Sequence, residues 1–466
     1  MEHKRQFLIC KSEFVHSSFL CIKLAFKYSL YFHRDLEVIS SSCKKNILIG
    51  LAFKSIDGSI KNDLDHINFD NFADYTSDWS GRWILIIGNR LCLDPSGMLG
   101  CYYTKHDESF AISSSLALLN ELFNFKEVDD YKNIQHGKAM NWFPPPLTRY
   151  VEIKKLLIGE ALNITEGTLY SLNKKENPFV NMRPHELHDA LSLRLSNIIN
   201  NISKVYGEEV YLPLTGGFDS RTLLAVLLNH QLKFSAFIFE HDNLSHADKS
   251  IPVKLSKKFN FSFTFIKRTS PLDKEKYNQY IQHSSGEAID AGLLFYSHDQ
   301  YESLAFKSKN DKKIILRGGV WEVGRKIFTT ACIDVSLTEE EDIVDNFKQC
   351  FPIIAESPLH ERSIRLWLKH TKKTSSNLGF KDRFYLEQRV SGWLSSLEQA
   401  ADLTCFDRIH PANCQDIIDL LSLCSGHPQP EMMKVICPDL LKTPFNKKSP
   451  KEFLLKSFNY IYRKLK

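Results

Sequence analysis

The stretch "YLPLTGGFDSRTLLAVL" (residues 211–227) decides the fold of this chain. An apolar run ends at Leu214, two adjacent glycines follow, and a helical pattern begins directly after Ser220. Backbone N–H groups and the helix dipole favour an anion at such a turn, and glycines let the backbone approach it closely. An ordinary strand-to-helix turn with a tight glycine pair accounts for the same letters. The loop alone therefore favours phosphate binding without establishing it.

Strand and helix patterns alternate on both sides of this turn. A helical pattern covers 183–202, strand patterns cover 234–240 and 261–266 with a helical one at 247–259 between them, and a later strand pattern covers 312–319. The remainder from about 335 is mostly helical in pattern. This order predicts a parallel sheet with right-handed crossovers, and ligands bind such sheets at the carboxyl ends of the strands.

The first 165 residues or so are rich in strand patterns instead. Two extended runs in 82–94 flank a turn at Gly88-Asn89, two more cover 101–104 and 110–115, and a helical pattern follows. Residues 166–183 have the polar composition of a connector. With about 100–200 residues per domain as the norm, the length of 466 residues suggests two or three domains. The change of pattern at 183–212 sets the boundary and predicts the domains 1–170 and 183–466.

Composition excludes several classes of protein. The chain is 43% hydrophobic and 25% charged, and its net charge of +5 is too small to indicate a nucleic-acid partner. Eleven cysteines with no Cys-x-x-Cys spacing argue against a disulfide framework and a zinc ribbon. The apolar stretch 19–32 is interrupted by Lys23 and Lys27 and is too short to span a bilayer. We expect a cytoplasmic protein without a membrane partner.

Five segments of the chain resemble segments of the asparagine synthetase family and follow one another in the same order as in that family. "LTGGFDS" looks like the Ser-Gly-Gly-x-Asp-Ser pyrophosphate loop (PP-loop) of ATP pyrophosphatases, and the others are "SGRWILIIGNRLCLDPSGMLGCYY" (80–103) with "FAISSSLALL" (110–119), "LRGGVWEVGR" (316–325), "FYLEQRVSGWL" (384–394) and "HPANCQDIIDLL" (410–421). The resemblance implies an N-terminal Ntn-type αββα sandwich of the glutamine amidotransferase kind. A parallel-sheet ATP pyrophosphatase domain with a helical C-terminal part would follow.

The resemblance also assigns roles to residues. The ATP-binding set would be Leu214, Thr215, Gly216, Gly217, Asp219, Ser220, Phe239 and Gly318. Asp219 and Glu322 would hold Mg²⁺ and, with Lys448, make up the catalytic set. Lys447 or Lys448 matches the family's late catalytic lysine, although an exposed solubilising pair accounts for them equally well.

The implied reaction is an AMP-forming ligation. ATP would adenylate a small-molecule, sugar or peptide carboxylate, and ammonia or a substrate amine would then attack the acyl-adenylate to give an amide. No nucleic-acid partner is implied, and a homodimer is one open possibility. Nothing in the letters identifies the carboxylate or the amine.

Two positions depart from the family pattern. Where the family's glutaminase begins with Met-Cys-Gly, this chain begins Met1-Glu2-His3, and Cys10 lies in an apolar run typical of a core residue. We therefore expect glutamine hydrolysis to be lost. Gly319 stands where relatives carry a glutamate or a tyrosine that handles the amine's protons. Both departures favour an alternative hypothesis, a catalytically inactive nucleotide-binding scaffold, while the complete glycine loop favours a ligase.

Overall fold

The computed structural model describes residues 3–24, 27–106, 109–128, 140–172, 176–241, 244–267, 274–284, 298–305, 312–325 and 333–445. Within these ranges the strands form three sheets, two of six strands and one of five. Helices pack against the outer faces of the two six-stranded sheets and make up most of the C-terminal part.

Residues up to Ser171 form the two six-stranded sheets, in which every paired strand is antiparallel. The strand bounds are Phe7–Cys10 (β1), Phe19–Lys23 (β2), Ser29–His33 (β3), Val38–Ser40 (β4), Asn46–Lys54 (β5), Trp79–Ile87 (β6), Arg90–Leu93 (β7), Tyr102–His106 (β8), Ser109–Ser113 (β9), Ile153–Lys155 (β10), Glu160–Asn163 (β11) and Leu169–Ser171 (β12). The first sheet has the order β10-β8-β9-β1-β3-β2 and the second the order β12-β11-β7-β6-β5-β4.

The two sheets pack face to face, with helices on their outer faces. Ile9 of the first sheet and Ile49 of the second belong to one buried core between them. Because strand residues alternate between faces, Leu8 and Leu48 point outward. Leu8 packs against the helix Leu116–Phe123 (α3), which covers the first sheet. Ile60–His66 (α1) and Phe72–Thr76 (α2) cover the second sheet. The layer order is helix, sheet, sheet, helix.

The predicted hairpin in 82–94 is confirmed, and one detail of the connector was wrong. β6 and β7 pair antiparallel, and Ile87 lies opposite Arg90 across a two-residue turn in which Gly88 has φ +61°. The connector predicted for 166–183 contains β12, which extends the second sheet. Its three residues are exposed or half-buried, so no alternation of apolar residues marked it as a strand.

The third sheet is wholly parallel, as the alternating patterns predicted. Its strands are Val210–Pro213 (β13), Ser235–Phe239 (β14), Phe263–Ile266 (β15), Ile314–Leu316 (β16) and Asp407–Ile409 (β17), in the order β15-β14-β13-β16-β17. The helices of this region are Pro184–Tyr206 (α4), Phe218–Asn229 (α5), His246–Phe259 (α6), Lys274–His283 (α7), His298–Ala305 (α8) and Glu322–Arg325 (α9). The buried apolar residues of α4 recur at helical spacing and share one hydrophobic core with β13 and α5.

The part after residue 335 is mostly helical, with one exception. Its helices are Glu340–Cys350 (α10), Pro352–Glu356 (α11), Pro358–Lys373 (α12), Phe380–Phe384 (α13), Ser395–Ala401 (α14), Gln415–Leu423 (α15) and Pro428–Ile436 (α16), with a π-helix at Tyr385–Leu394 and a 3₁₀ turn at Pro438–Lys442. The exception is β17, the edge strand of the parallel sheet. Its sequence Asp-Arg-Ile carries two charged residues, which concealed it as a strand.

Buried polar contacts join the antiparallel sheets to the C-terminal part. Arg82 donates two hydrogen bonds of 3.0 Å to the carboxylate of Asp402. Asn413 donates to Gly81 O at 2.6 Å and to Asp94 Oδ1 at 2.9 Å. Because unpaired polar groups at this depth would be costly, these bonds fix how the two parts meet. Across the described ranges, no helix is both long and apolar enough to cross a membrane.

Candidate functional site

The glycine loop lies where β13 passes into α5. Leu214 is buried, and its N–H donates to Phe237 O of β14 at 2.9 Å, so the chain leaves the sheet only after this residue. Gly217 directly precedes α5 and has extended backbone angles, φ −77° and ψ 178°. The loop thus presents a helix N-terminus at the carboxyl edge of a parallel sheet, the position that favours an anion.

Side-chain oxygens accept from the N–H groups of this loop. Ser220 Oγ accepts from Thr215 N at 3.2 Å and lies 3.2 Å from Thr215 Oγ1. Gly217 N donates to Thr215 Oγ1 at 3.3 Å, and Gly216 N donates to Asp248 Oδ1 at 2.8 Å. Hydroxyls rotate easily, so Thr215 and Ser220 are suited to exchange these bonds for phosphate oxygens. Asp248, at the start of α6, already supplies a negative oxygen where an anion would bind.

A buried cation lies behind the loop. Arg221 is fully buried and donates to Gly216 O at 3.2 Å and to Thr443 O at 2.7 Å, while its guanidinium carbon lies 3.9 Å from the ring centre of Phe445. Burial lowers the pKa of this guanidinium to about 10, so it stays charged at neutral pH. Arg221 therefore both fixes the loop to the C-terminal segment and adds positive charge beneath it.

Asp219 lies in the first turn of α5 and is held by two distant residues. Its Oδ1 accepts from Gln429 Nε2 at 2.9 Å, and its Oδ2 lies 3.4 Å from Arg325 Nη2. Its pKa is raised to about 6, mainly by burial and further by the neighbouring Glu322, against the opposing charge of Arg325. A carboxylate disfavoured in this way gains stability from a cation placed beside it.

The loop after β16 packs directly against the glycine loop. A Cβ on Gly318 would lie 2.9 Å from Asp219 Cβ, so only glycine permits this approach without a shift. Glu322 follows at the start of α9, where Oε1 accepts from Arg325 Nη2 at 2.8 Å and Oε2 accepts from Tyr385 OH at 2.5 Å. The structure therefore brings Asp219, Glu322 and Gly318 together at one edge of the sheet, while the roles that the resemblance assigns to them stay predictions.

The space beside Gly319 is filled by a histidine from the neighbouring strand end. A Cβ on Gly319 would lie 2.3 Å from His410 Nδ1, and Gly319 N donates to that nitrogen at 3.1 Å. His410 Nε2 donates to Glu398 Oε1 at 3.1 Å, and Arg408 Nε donates to Glu398 Oε2 at 2.7 Å. Burial lowers the pKa of His410, whereas Arg408 keeps the pKa of the buried Glu398 well below its usual range. A neutral imidazole on a carboxylate thus fixes the backbone at position 319.

The remaining sequence candidates are Phe239 and Lys448. Phe239 ends β14, and its ring packs edge-on against Tyr301 with centroids 4.6 Å apart; the role of its backbone toward adenine stays a prediction. Arg317, on the same loop as Gly318, has its Nε 3.5 Å from Glu398 Oε1. Lys448, together with Lys447, lies outside the described residues.

Sequence reasoning missed four residues of the cluster: Tyr385, Gln429, Asp248 and Arg221. Tyr385 and Gln429 are separated from their partners by 63 and 210 positions along the chain, and no local pattern signals contacts of that range. Asp248 follows Ser245 by three positions, the spacing with which Ser245 caps α6. That signal marks a helix start and says nothing about the glycine loop.

No protein-family model matches the chain, and no curated protein matches it. Among solved structures, a glutamine-dependent NAD⁺ synthetase from Acinetobacter baumannii in complex with ADP is 12% identical, with a TM-score of 0.22 over 36% of this chain and 30% of that one. The chain thus covers less than a third of that protein's length.

Two further structures are similar at the same level. An NMN synthetase from Francisella tularensis is 14% identical, with a TM-score of 0.22 over 44% of this chain and 94% of that one. A glutamine phosphoribosylpyrophosphate amidotransferase from B. subtilis, complexed with ADP and GMP, is 10% identical, with a TM-score of 0.22 over 66% and 89%. Similarities with TM-scores this low establish neither a shared fold nor a shared activity.

Proposed function

We propose that the chain is an ATP-dependent, AMP-forming amide ligase of the asparagine synthetase kind. It would adenylate a carboxylate and transfer the acyl group to ammonia or to a substrate amine. One observation carries the proposal: Asp219, on the glycine loop after β13, and Glu322, on the loop after the adjacent β16, share the side chain of Arg325. Two carboxylates beside a helix N-terminus suit a magnesium–polyphosphate group.

The donor set fits Mg²⁺. Carboxylate oxygens are the ligands this ion prefers, and it is commonly held by one or two of them together with phosphate oxygens. Asp219 and Glu322 would hold it, and it would neutralise charge on the departing pyrophosphate. Within the described ranges, no group of three or more histidine, cysteine or acidic side chains is arranged to hold a metal.

The chain's own groups would hold the remaining phosphate oxygens. To bind phosphate, the N–H group of Gly216 would leave Asp248, and the hydroxyls of Thr215 and Ser220 would leave their present partners within the loop. The dipole of α5 favours an anion at this turn. Arg221 keeps that turn fixed from behind.

We also propose that the helix–sheet–sheet–helix part, residues 1–170, is an Ntn-type domain related to glutamine amidotransferases but without glutaminase activity. Residues 183–466 would be the ATP pyrophosphatase domain. Cys10 lies in the core of the first sheet with 2% of its surface exposed, and burial raises the pKa of its thiol to about 11. A thiol so buried and so weakly acidic is not a nucleophile, which confirms the prediction that Cys10 is a core residue.

The decisive experiment follows ATP·Mg²⁺ through the reaction. The purified chain should be stabilised against heat by ATP·Mg²⁺ and should release AMP and pyrophosphate when given the right carboxylate with ammonium or an amine. A panel of amino acids, uronates and peptides identifies the substrate class. Asp219→Asn should abolish both effects, whereas the control Asp345→Asn, on the exposed side of α10, should leave them unchanged.

Three outcomes separate the alternatives. Stabilisation by ATP·Mg²⁺ without AMP from any carboxylate would favour the inactive scaffold. Release of ADP and phosphate in place of AMP and pyrophosphate would reject the adenylation proposal. Glutamate formed from glutamine in step with AMP would reject the loss of glutaminase activity.

A further inference from the structure

A single guanidinium nitrogen bridges the two candidate metal-binding carboxylates. Arg325 Nη2 lies 2.8 Å from Glu322 Oε1 and 3.4 Å from Asp219 Oδ2. The side chain of Arg325 is only 16% exposed, and its Nε is buried with no hydrogen-bond partner within the described part of the chain. Arg325 therefore contributes its charge chiefly at this one position between the two loops.

Electrostatic repulsion between the two carboxylates explains why a cation lies between them. Asp219 and Glu322 are each about 30% exposed or less, and like charges at such depth repel strongly. A cation between them removes that repulsion. In this structure the cation is the guanidinium of Arg325, while Gln429 and Tyr385 donate to the outer oxygens of Asp219 and Glu322.

A metal ion and this nitrogen would compete for one position. A magnesium ion bound by both carboxylates would lie about 2 Å from each oxygen. The space between the two oxygens already holds Arg325 Nη2 at hydrogen-bond distance from one and at ion-pair distance from the other. The ion and the guanidinium also carry the same sign of charge, so binding of one disfavours the other.

We infer that Arg325 is a built-in cation that keeps divalent metal out of the site until a phosphate ligand arrives. A polyphosphate brings negative oxygens to which the guanidinium can move, and the two carboxylates are then open to the metal that accompanies the phosphate. Metal and nucleotide would thus bind together and free metal weakly. The movement of Arg325 to a phosphate ligand rests on the proposed function, whereas the exclusion of free metal does not.

The test measures divalent metal binding to the full-length chain without nucleotide. Mn²⁺ is the probe, because its free form is counted directly by electron paramagnetic resonance during a titration. Arg325→Gln keeps a polar but shorter side chain and removes its charge, and should bind Mn²⁺ at least about tenfold more tightly than the unsubstituted chain. Arg325→Met removes the charge and introduces no new hydrogen-bonding group, and it should show the same gain.

Three further variants test whether the gain in Mn²⁺ affinity depends on the charge at position 325 and on Glu322. Arg325→Lys, which keeps the charge, should bind Mn²⁺ as weakly as the unsubstituted chain. Arg183→Gln, at the exposed start of α4, removes an equal charge far from the loops and should change nothing. Adding Glu322→Gln to Arg325→Gln should abolish the gain.

The result also separates this inference from the proposed function. Equal Mn²⁺ affinity in the unsubstituted chain, Arg325→Gln and Arg325→Met overturns the inference, whether or not the chain produces AMP. A gain in affinity in a chain that neither binds ATP nor produces AMP leaves the metal exclusion standing and rejects the ligase.

Discussion

Replacing Asp219 by asparagine should stabilise the fold while destroying the site. Asp219 has a pKa of about 6 in the folded chain against a reference value of 3.8. Because the folded state binds the proton more tightly, the stability linked to this proton is fully present below pH 3.8 and is lost as the pH rises through 6. Asparagine remains neutral throughout and keeps an oxygen that can accept from Gln429.

The expected size follows from the pKa difference. A difference of about 2 units, at 1.36 kcal/mol each, corresponds to at most about 3 kcal/mol at neutral pH. At pH 4.5 the same relation leaves at most about 1 kcal/mol, because most of the carboxyl is then protonated in the folded chain. The side chain is 26% exposed, so we expect Asp219→Asn to raise the free energy of unfolding by about 1–3 kcal/mol at pH 7.5.

Urea unfolding followed by circular dichroism at pH 4.5, 6 and 7.5 measures this difference. The gain should grow with pH and level off above pH 7, and Asp345→Asn should follow the unsubstituted chain at every pH. The same Asp219→Asn protein should no longer be stabilised by ATP·Mg²⁺. If the variant is less stable than the unsubstituted chain at pH 7.5, or if its gain is the same at all three pH values, the account of Asp219 as a disfavoured carboxylate is wrong.

Three further substitutions test the surroundings of the site by urea unfolding. Gly319→Ala places a Cβ against the His410 ring and should cost about 1–3 kcal/mol; most of this loss should disappear in an His410→Ala background, and additive effects of the two changes would contradict the contact. Arg82→Met strands the buried carboxylate of Asp402 and should cost about 3–5 kcal/mol, of which Asp402→Leu should restore the greater part; a harmless single substitution would show that the pair does not join the two parts. Tyr385→Phe removes one hydrogen bond to the second loop and should cost about 1–2 kcal/mol, and an unchanged free energy of unfolding would show that this bond is not made in solution.

The parallel sheet could be predicted because its strands carry their signal locally. β13 and β14 are apolar on both faces, as strands covered by helices on both sides must be, and the glycine turn marks where the first of them ends. β17 carries no such signal. Its Arg408 is buried only because Glu398, ten residues earlier in another element, neutralises it, and charge pairing of that kind cannot be derived from the strand's own letters.

The same distinction applies to the candidate site. That Asp219 and Glu322 lie close together was implied by the family resemblance; sequence order alone does not make β13 and β16 neighbours, because β14 and β15 lie between them along the chain. The sequence could not show that Arg325 would bridge them, nor that His410 would fill the space at Gly319. Both contacts depend on side-chain positions set by the packing of several elements, and sequence spacing does not determine those positions.

The central claim is that the glycine loop and the Glu322 loop together activate a carboxylate with ATP. The most direct measurement is exchange of labelled pyrophosphate into ATP, which reports reversible adenylation without requiring the amine. We predict exchange that depends on both Mg²⁺ and a carboxylate substrate and that is lost in Asp219→Asn. Exchange that persists unchanged in Asp219→Asn, or ATP turnover that yields only ADP and phosphate, would contradict the claim.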